Sequence, residues 1–140
     1  MNCFLTSRWK CLCLVSLLFA GCSSAPQDMP DVAPVSGTVT LDGNPLPYAT
    51  IVFQPTDGRP SNGQTDAEGK YDLHFNQDTM GAELGSHQVI ITTYREFDHP
   101  SDSNVKASPE LLPAKYHSKS ELTATVEPGG NEISFDLKSK

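Results

Sequence analysis

Two groupings of side chains, one lone cysteine and one lone histidine have the types and spacing to do chemistry. Cys22 stands among small residues at the foot of the apolar run in "LLFAGCSS" (Leu17–Ser24). A thiol there could enter redox chemistry, close a disulfide, ligate a metal or accept a covalent group, because its thiolate is a nucleophile. Asp66, Glu68 and Asp72 in "TDAEGKYD" have an acidic spacing that would suit a hard cation bound through oxygen. Asp98, His99, Asp102, Tyr116 and His117 lie in the long segment Arg95–Ser120, with Tyr94 beside it. Those residue types could hold a metal or activate a water. His74 stands alone in "DLHF".

Most of these weaken when spacing is set against chemistry. The acidic stretch lacks the dense run of alternating ligands and the closing bidentate Glu of a calcium loop, so it reads as a structural turn. His74 sits between the inward-facing Leu73 and Phe75, which places it on a solvated outer face. The Arg95–Ser120 segment exceeds the usual loop length, a class that is often functional or irregular. It reads as an excursion in which Ser108 and Pro109 begin one helical turn, Pro113 stops it, and Tyr116 packs back onto the domain.

Cys22 survives. The cysteines are Cys3, Cys11, Cys13 and Cys22, with none from Ser23 to Lys140. Arg8 and Lys10 precede the apolar run "CLCLVSLLFA" (Cys11–Ala20), which ends in small residues. That is the three-part layout of an export signal. As a helix the run would rise about 15 Å, half of the roughly 30 Å hydrocarbon layer, so a permanent span is the weaker reading. Cleavage before Cys22 would leave a single cysteine. A free thiol is a liability in an oxidising compartment, and no disulfide or metal-thiolate site remains for the mature chain.

Ala20, Gly21 and Cys22 resemble, residue by residue, the lipobox of bacterial lipoproteins. The resemblance implies cleavage before Cys22 and a diacylglycerol on its sulfur. Fatty-acyl chains of the palmitate type contribute about 0.8 kcal/mol per buried CH₂, so two or three of them anchor a protein stably. Phe19 stands where a Leu is usual, with Leu18 one residue earlier. Ser23, rather than Asp, follows the cysteine, which in the lipoprotein sorting pattern implies the outer membrane where a source has two.

The elements behind the anchor are short strands. Of 140 residues, 37% are hydrophobic, and eleven prolines and ten glycines punctuate a chain without helix-length periodicity. The expected organisation is a signal peptide over 1–21, a flexible tether over 22–34 ("SSAPQDMPDVAP" being proline-rich) and one β domain over 35–138. Val35, Gly37, Val39 and Leu41 alternate with Ser36, Thr38 and Thr40, and "DGNP" turns the chain toward a strand at Tyr48–Gln54. "TDGRPSNG" reads as a polar loop. "QTDAEGKYDLHF" reads as a hairpin turning at Ala67–Lys70, with Tyr71, Leu73 and Phe75 inward. "GSHQVIITTY" turns Val89 and Ile91 inward. "LTATV", "EPGGN" and "EISFDLK" read as a closing hairpin with Leu122, Ala124 and Val126 set against Ile133, Phe135 and Leu137. This gives an all-β, two-sheet sandwich of about seven strands, large enough to fold without a disulfide.

The run Gly37, Val39, Asp42, Gly43, Pro45, Leu46 and Ala49, followed by Thr65, Asp66, Gly69 and Tyr71, resembles the carboxypeptidase regulatory-like domain, a transthyretin-like, Ig-like sandwich. The tail from Leu112 to Leu137 resembles that of small envelope lipoproteins carrying this domain alone. The resemblance implies a shape without an activity. Two enzyme families share the general fold. Hydroxyisourate hydrolases end in Tyr-Arg-Gly-Ser, where this chain ends "FDLKSK". Intradiol dioxygenases use two Tyr and two His, for which Tyr94, His99, Tyr116 and His117 would be the candidates.

The net charge of −7, more acidic still without Arg8 and Lys10, offers no basic stripe to nucleic acid. The expectation is a lipid-anchored envelope protein held at Cys22, non-catalytic and without a cofactor, presenting a sandwich that binds or scaffolds an envelope protein or a glycan. Its partners are then the membrane and that ligand, with no catalytic or metal-ligating residue assigned. The competing expectation is a hydrolase or metal-dependent oxygenase using the 95–120 loop.

Overall fold

A computed structural model describes residues 29–97 and 106–140. Cys22, the export signal and the residues Asp98, His99 and Asp102 lie outside that range. The described chain is an all-β sandwich. Its strands are β1 (Val32–Ala33), β2 (Val35–Leu41), β3 (Asn44–Pro45), β4 (Thr50–Pro55), β5 (Ser61–Gln64), β6 (Lys70–Asp72), β7 (Ala82–Glu83), β8 (Gly85–Thr92), β9 (Leu122–Val126), β10 (Asn131–Glu132) and β11 (Phe135–Leu137).

One sheet runs β5-β4-β8-β9, antiparallel throughout. The other is built around β2, which pairs antiparallel with β3 and β6 and parallel with β10 and β11. A two-stranded ribbon of β1 and β7 closes one end. Alternation along each strand explains the layers: Ile51 and Phe53 of β4, Val89 and Ile91 of β8, and Val35 and Val39 of β2 are buried, while their neighbours face out. The Phe53 ring meets that of Phe135 edge-on at 6.2 Å, joining the sheets across the core. Buried Thr65 accepts the Ala49 N–H at 2.8 Å and donates to the Leu46 carbonyl at 2.7 Å, so the β3–β4 connection is fastened from inside.

The expected hairpins are crossings. β9 joins β8, whereas β10 and β11 join β2, so "LTATV" and "EISFDLK" lie in opposite sheets. The connection is held by the Asn131 side-chain amide, which donates to the Glu127 carbonyl at 2.8 Å and the Gly129 carbonyl at 3.1 Å. Likewise β5 joins β4 and β6 joins β2, with a bridge at Asn62 and His74 where the two edges meet. The turn expected at Ala67–Lys70 is present, closed by the Gly69 N–H on the Asp66 carbonyl, with Lys70 already opening β6; Tyr71, Leu73 and Phe75 are buried while Asp72 and His74 are exposed. Strand β4 starts at Thr50 because Tyr48 sits at φ 57, a left-handed backbone. Val32 and Ala33, within the stretch read as tether, form β1, and Ala33 is buried. Among the described residues the one helical turn is Ala114–Tyr116, which follows Pro113 instead of ending there. A proline suits the entry of a helix because its missing N–H would be unpaired there in any case.

Candidate functional site

A concavity of about 920 Å³ lies where the free edges of the two sheets converge, β5 from one and β6 from the other. Arg59, Asn62, Gln64, Lys70, Asp72 and His74 line it, and Asn76 and Gln77 close one side. Gly63 lets the edges approach: a Cβ there would stand 2.4 Å from the Asp72 carbonyl oxygen, which no side chain tolerates. The Arg59 guanidinium stands 5.8 Å above the Phe75 ring, and the Arg59 N–H donates to Glu83 at 3.1 Å, so the arginine is held over the groove. Tyr71 of β6 lies beneath the groove with its ring buried in the core. Burial pushes its phenol far above its ordinary value, and its O–H donates to the Ile133 carbonyl.

The main-chain groups on these edges are largely committed. Asn62 and His74 exchange both backbone hydrogen bonds, at 3.1 and 2.9 Å, and Asp66 N–H donates to the Lys70 carbonyl at 2.8 Å. The side-chain amides of Asn62 and Gln64 make no hydrogen bond among the described residues. Both donors and acceptors therefore face the groove unspent, in the volume range typical of small-ligand sites.

The sequence candidates fare differently. Asp66 is spent on its turn, its carboxylate accepting the N–H groups of Glu68 and Lys70, both at 2.9 Å. His74 does line the groove, on the exposed face expected for it. Tyr94, just before the 95–120 segment, is exposed, while Tyr116 within it is buried and its hydroxyl accepts the Lys138 N–H at 3.0 Å. A His117 ring nitrogen is 3.0 Å from the Leu112 carbonyl. Tyr116 and His117 thus fasten the excursion. No three His, Cys, Asp or Glu side chains among the described residues are grouped so as to hold a metal ion.

Glu110 shows how firmly the excursion is tied. Burial opposes its charge, yet the Thr92 hydroxyl, the N–H groups of Leu112 and Thr93 and the Thr93 hydroxyl all donate to its carboxylate and hold its pKa at about 2. Arg95 ties the other end, donating to the carbonyls of Tyr48 and Lys106.

Sequence reasoning missed Arg59, Asn62, Gln64, Asn76 and Gln77, as well as Glu110. β5 reads "SNGQ", without β-branched or aromatic residues. The available signal was Gly63 between two amides, a residue that permits close backbone approach. His87, inward with Val89 and Ile91, was legible from the alternation alone; its Nε2 is 2.8 Å from the Glu83 carbonyl.

No family model matches the chain, and no curated protein matches it. Among solved structures it is similar to a DUF3823 family protein from Parabacteroides merdae, with 14% identity over 78% of this chain and a TM-score of 0.42. The chain spans 47% of that protein's length.

Proposed function

We propose that this chain is a lipid-anchored cell-envelope protein whose non-catalytic sandwich, of the carboxypeptidase regulatory-like kind, binds glycan in the groove between β5 and β6. The anchor reading rests on the sequence: the lipobox-like Ala20-Gly21-Cys22, the absence of later cysteines, and Ser23 after the cysteine, which favours the outer membrane. Among the described residues no helix is long and apolar enough to cross a membrane.

The observation that supports a glycan is the division of labour in the groove. A peptide added as a strand needs a run of free main-chain groups along an edge, and here Asn62, His74 and Lys70 have already spent theirs. What is left is side-chain amide and charge chemistry, which suits the hydroxyls of a sugar.

The experiment uses the full acylated chain in detergent. Cys22→Ala is expected to leave precursor uncut and to abolish detergent-phase partitioning; an acylated Cys22→Ala chain would refute the anchor. On an array of bacterial and plant glycans the wild-type chain is expected to retain a subset, and Asn62→Ala with Gln64→Ala to lose it. Retention of nothing, or retention indifferent to the double variant, would refute the groove.

A further inference from the structure

The outward-facing strand residues of the β5-β4-β8-β9 sheet include no charged side chain. β4 shows Thr50, Val52 and Gln54, β8 shows Ser86, Gln88, Ile90 and Thr92, β9 shows Thr123 and Thr125, and β5 shows Asn62 and Gln64. In a chain of ten basic and seventeen acidic residues, that is the outer face of an entire sheet; charge reaches it only at the rim, where Glu121 stands just beyond β9 and the Glu110 carboxylate accepts the Thr92 hydroxyl at the end of β8. Val52 and Ile90 pair in register at its middle, half-buried, and hydroxyl and amide side chains surround them.

The face is continuous with the groove, because Asn62 and Gln64 of β5 belong to both and Thr50, paired with Gln64, lines the groove as well. Among the described residues the side chains of Ser86, Thr123 and Thr125 make no hydrogen bond, so their donors and acceptors are available.

We infer that this face is a platform that extends the groove, and that the ligand is an uncharged, elongated polysaccharide lying from the groove across β4 and β8 toward β9. The inference rests on the glycan reading of the groove and adds the ligand's charge and length. Beyond the groove, a neutral polymer is the complement of strands whose outward side chains carry neither sign of charge, since it brings no ion to be desolvated against their amides and hydroxyls. A second copy of the chain fits less well. Four strands about 4.8 Å apart and some six residues of about 3.4 Å give roughly 400 Å², about half of the ~800 Å² per partner in a standard interface.

The test measures affinity of the full acylated chain in detergent for unbranched gluco-, xylo- and N-acetylglucosamine oligosaccharides of two and eight sugars, with octagalacturonate as the charged counterpart. In the series that binds, the eight-sugar chain is expected to bind at least tenfold more tightly than the disaccharide and than octagalacturonate. The double variant Ser86→Lys with Thr125→Glu places an ion pair on a cross-strand pair, which spares the sheet. It is expected to bring the eight-sugar affinity down to that of the disaccharide while leaving disaccharide binding intact, which also reports that the domain is folded. Thr123→Glu is the second variant, expected to act in the same direction.

Equal affinity for both lengths, an eight-sugar affinity indifferent to the face variants, or equally tight octagalacturonate would overturn the platform, while disaccharide binding sensitive to Asn62→Ala would leave the groove standing. Binding of no saccharide at either length removes the groove reading and the platform together. Self-association by sedimentation that the face variants abolish would assign the face to a second copy and overturn the proposal.

Discussion

The two outer faces of the sandwich come from the same alternation and solve opposite problems. On the β2 side, Lys70 and Asp72, which also line the groove, and Glu132 and Asp136 flank a row of Ser36, Thr38 and Thr40, and away from the groove several polar groups are paired with one another. Thr40 donates to Asp136 at 2.9 Å, Lys138 meets the same carboxylate at 3.0 Å, and the Ser134 hydroxyl accepts the Thr38 N–H at 3.1 Å. On the β4 and β8 side the strand residues carry no charge, the Glu110 carboxylate meeting them only at the Thr92 end, and Ser86, Thr123 and Thr125 point their hydroxyls outward without a partner among the described residues. A surface meant only for water gains solubility from charge; a surface that must shed water to bind is better served by neutral groups that the ligand can satisfy.

The comparison can be broken first at what both faces share. Phe53→Ala removes the ring that reaches Phe135 across the core, and should cost about 3–5 kcal/mol with both faces lost together in one unfolding transition. If chemical denaturation instead gave two transitions, the sheets would be separately stable and the faces independent.

Next in size is Glu110, which ties the excursion to the Thr92 end of the uncharged sheet. Glu110→Ala should cost about 1–2 kcal/mol, because solvent screening keeps its charge-assisted hydrogen bonds below their value in a dry site. The pH dependence has a definite sign. Its folded pKa of about 2 lies below the ordinary carboxyl value of 4.5, so its stabilisation is complete above pH 4.5 and disappears as pH falls toward 2. Urea midpoints measured across that window should therefore fall less steeply with acid in Glu110→Gln than in the wild-type chain; parallel curves would mean that the carboxylate is not the tie.

Tyr71→Phe is smaller, about 1 kcal/mol, because it leaves the Ile133 carbonyl without its donor while keeping the ring. Because that hydroxyl lies in the core and not in the groove, glycan affinity should stay unchanged, which would separate binding from folding.

How much of this was legible depends on where the information is stored. The alternation of Val35–Leu41, of Thr50–Pro55 and of Gly85–Thr92 is a property of single strands, and it announced the sandwich and most of its core. Sheet membership is not local: "EPGGN" has the composition of a tight hairpin, yet Asn131 binds Glu127, Gly129 and the Pro34 carbonyl and so carries the chain from β8's sheet to β2's. The groove was hidden for the same reason, since Arg59, Asn62 and His74 come together only when β5 and β6 leave for different sheets. Tyr116 and His117 were conspicuous because their types can do chemistry, but their polar atoms are engaged with Lys138 and Leu112, and sequence does not record such commitments.

The smallest expected effect is the sharpest test of the contrast. Thr40, Asp136 and Lys138 form the best-paired cluster on the charged face, and hydrogen bonds from Lys138 and then Thr40 hold the Asp136 carboxyl below its ordinary value. The cluster is open to water, where long side chains give up freedom to pair and solvent screens the gain. Asp136→Asn should therefore leave Tm unchanged at neutral pH and leave glycan affinity unchanged, whereas the equally exposed Ser86→Lys with Thr125→Glu should leave Tm unchanged and cut affinity for the eight-sugar chain. Two surface changes of similar stability cost would then differ only in which face they mark. If Asp136→Asn weakened binding as much as the Ser86 pair, charge on either face would act at long range, and the uncharged sheet would have no special claim to the ligand.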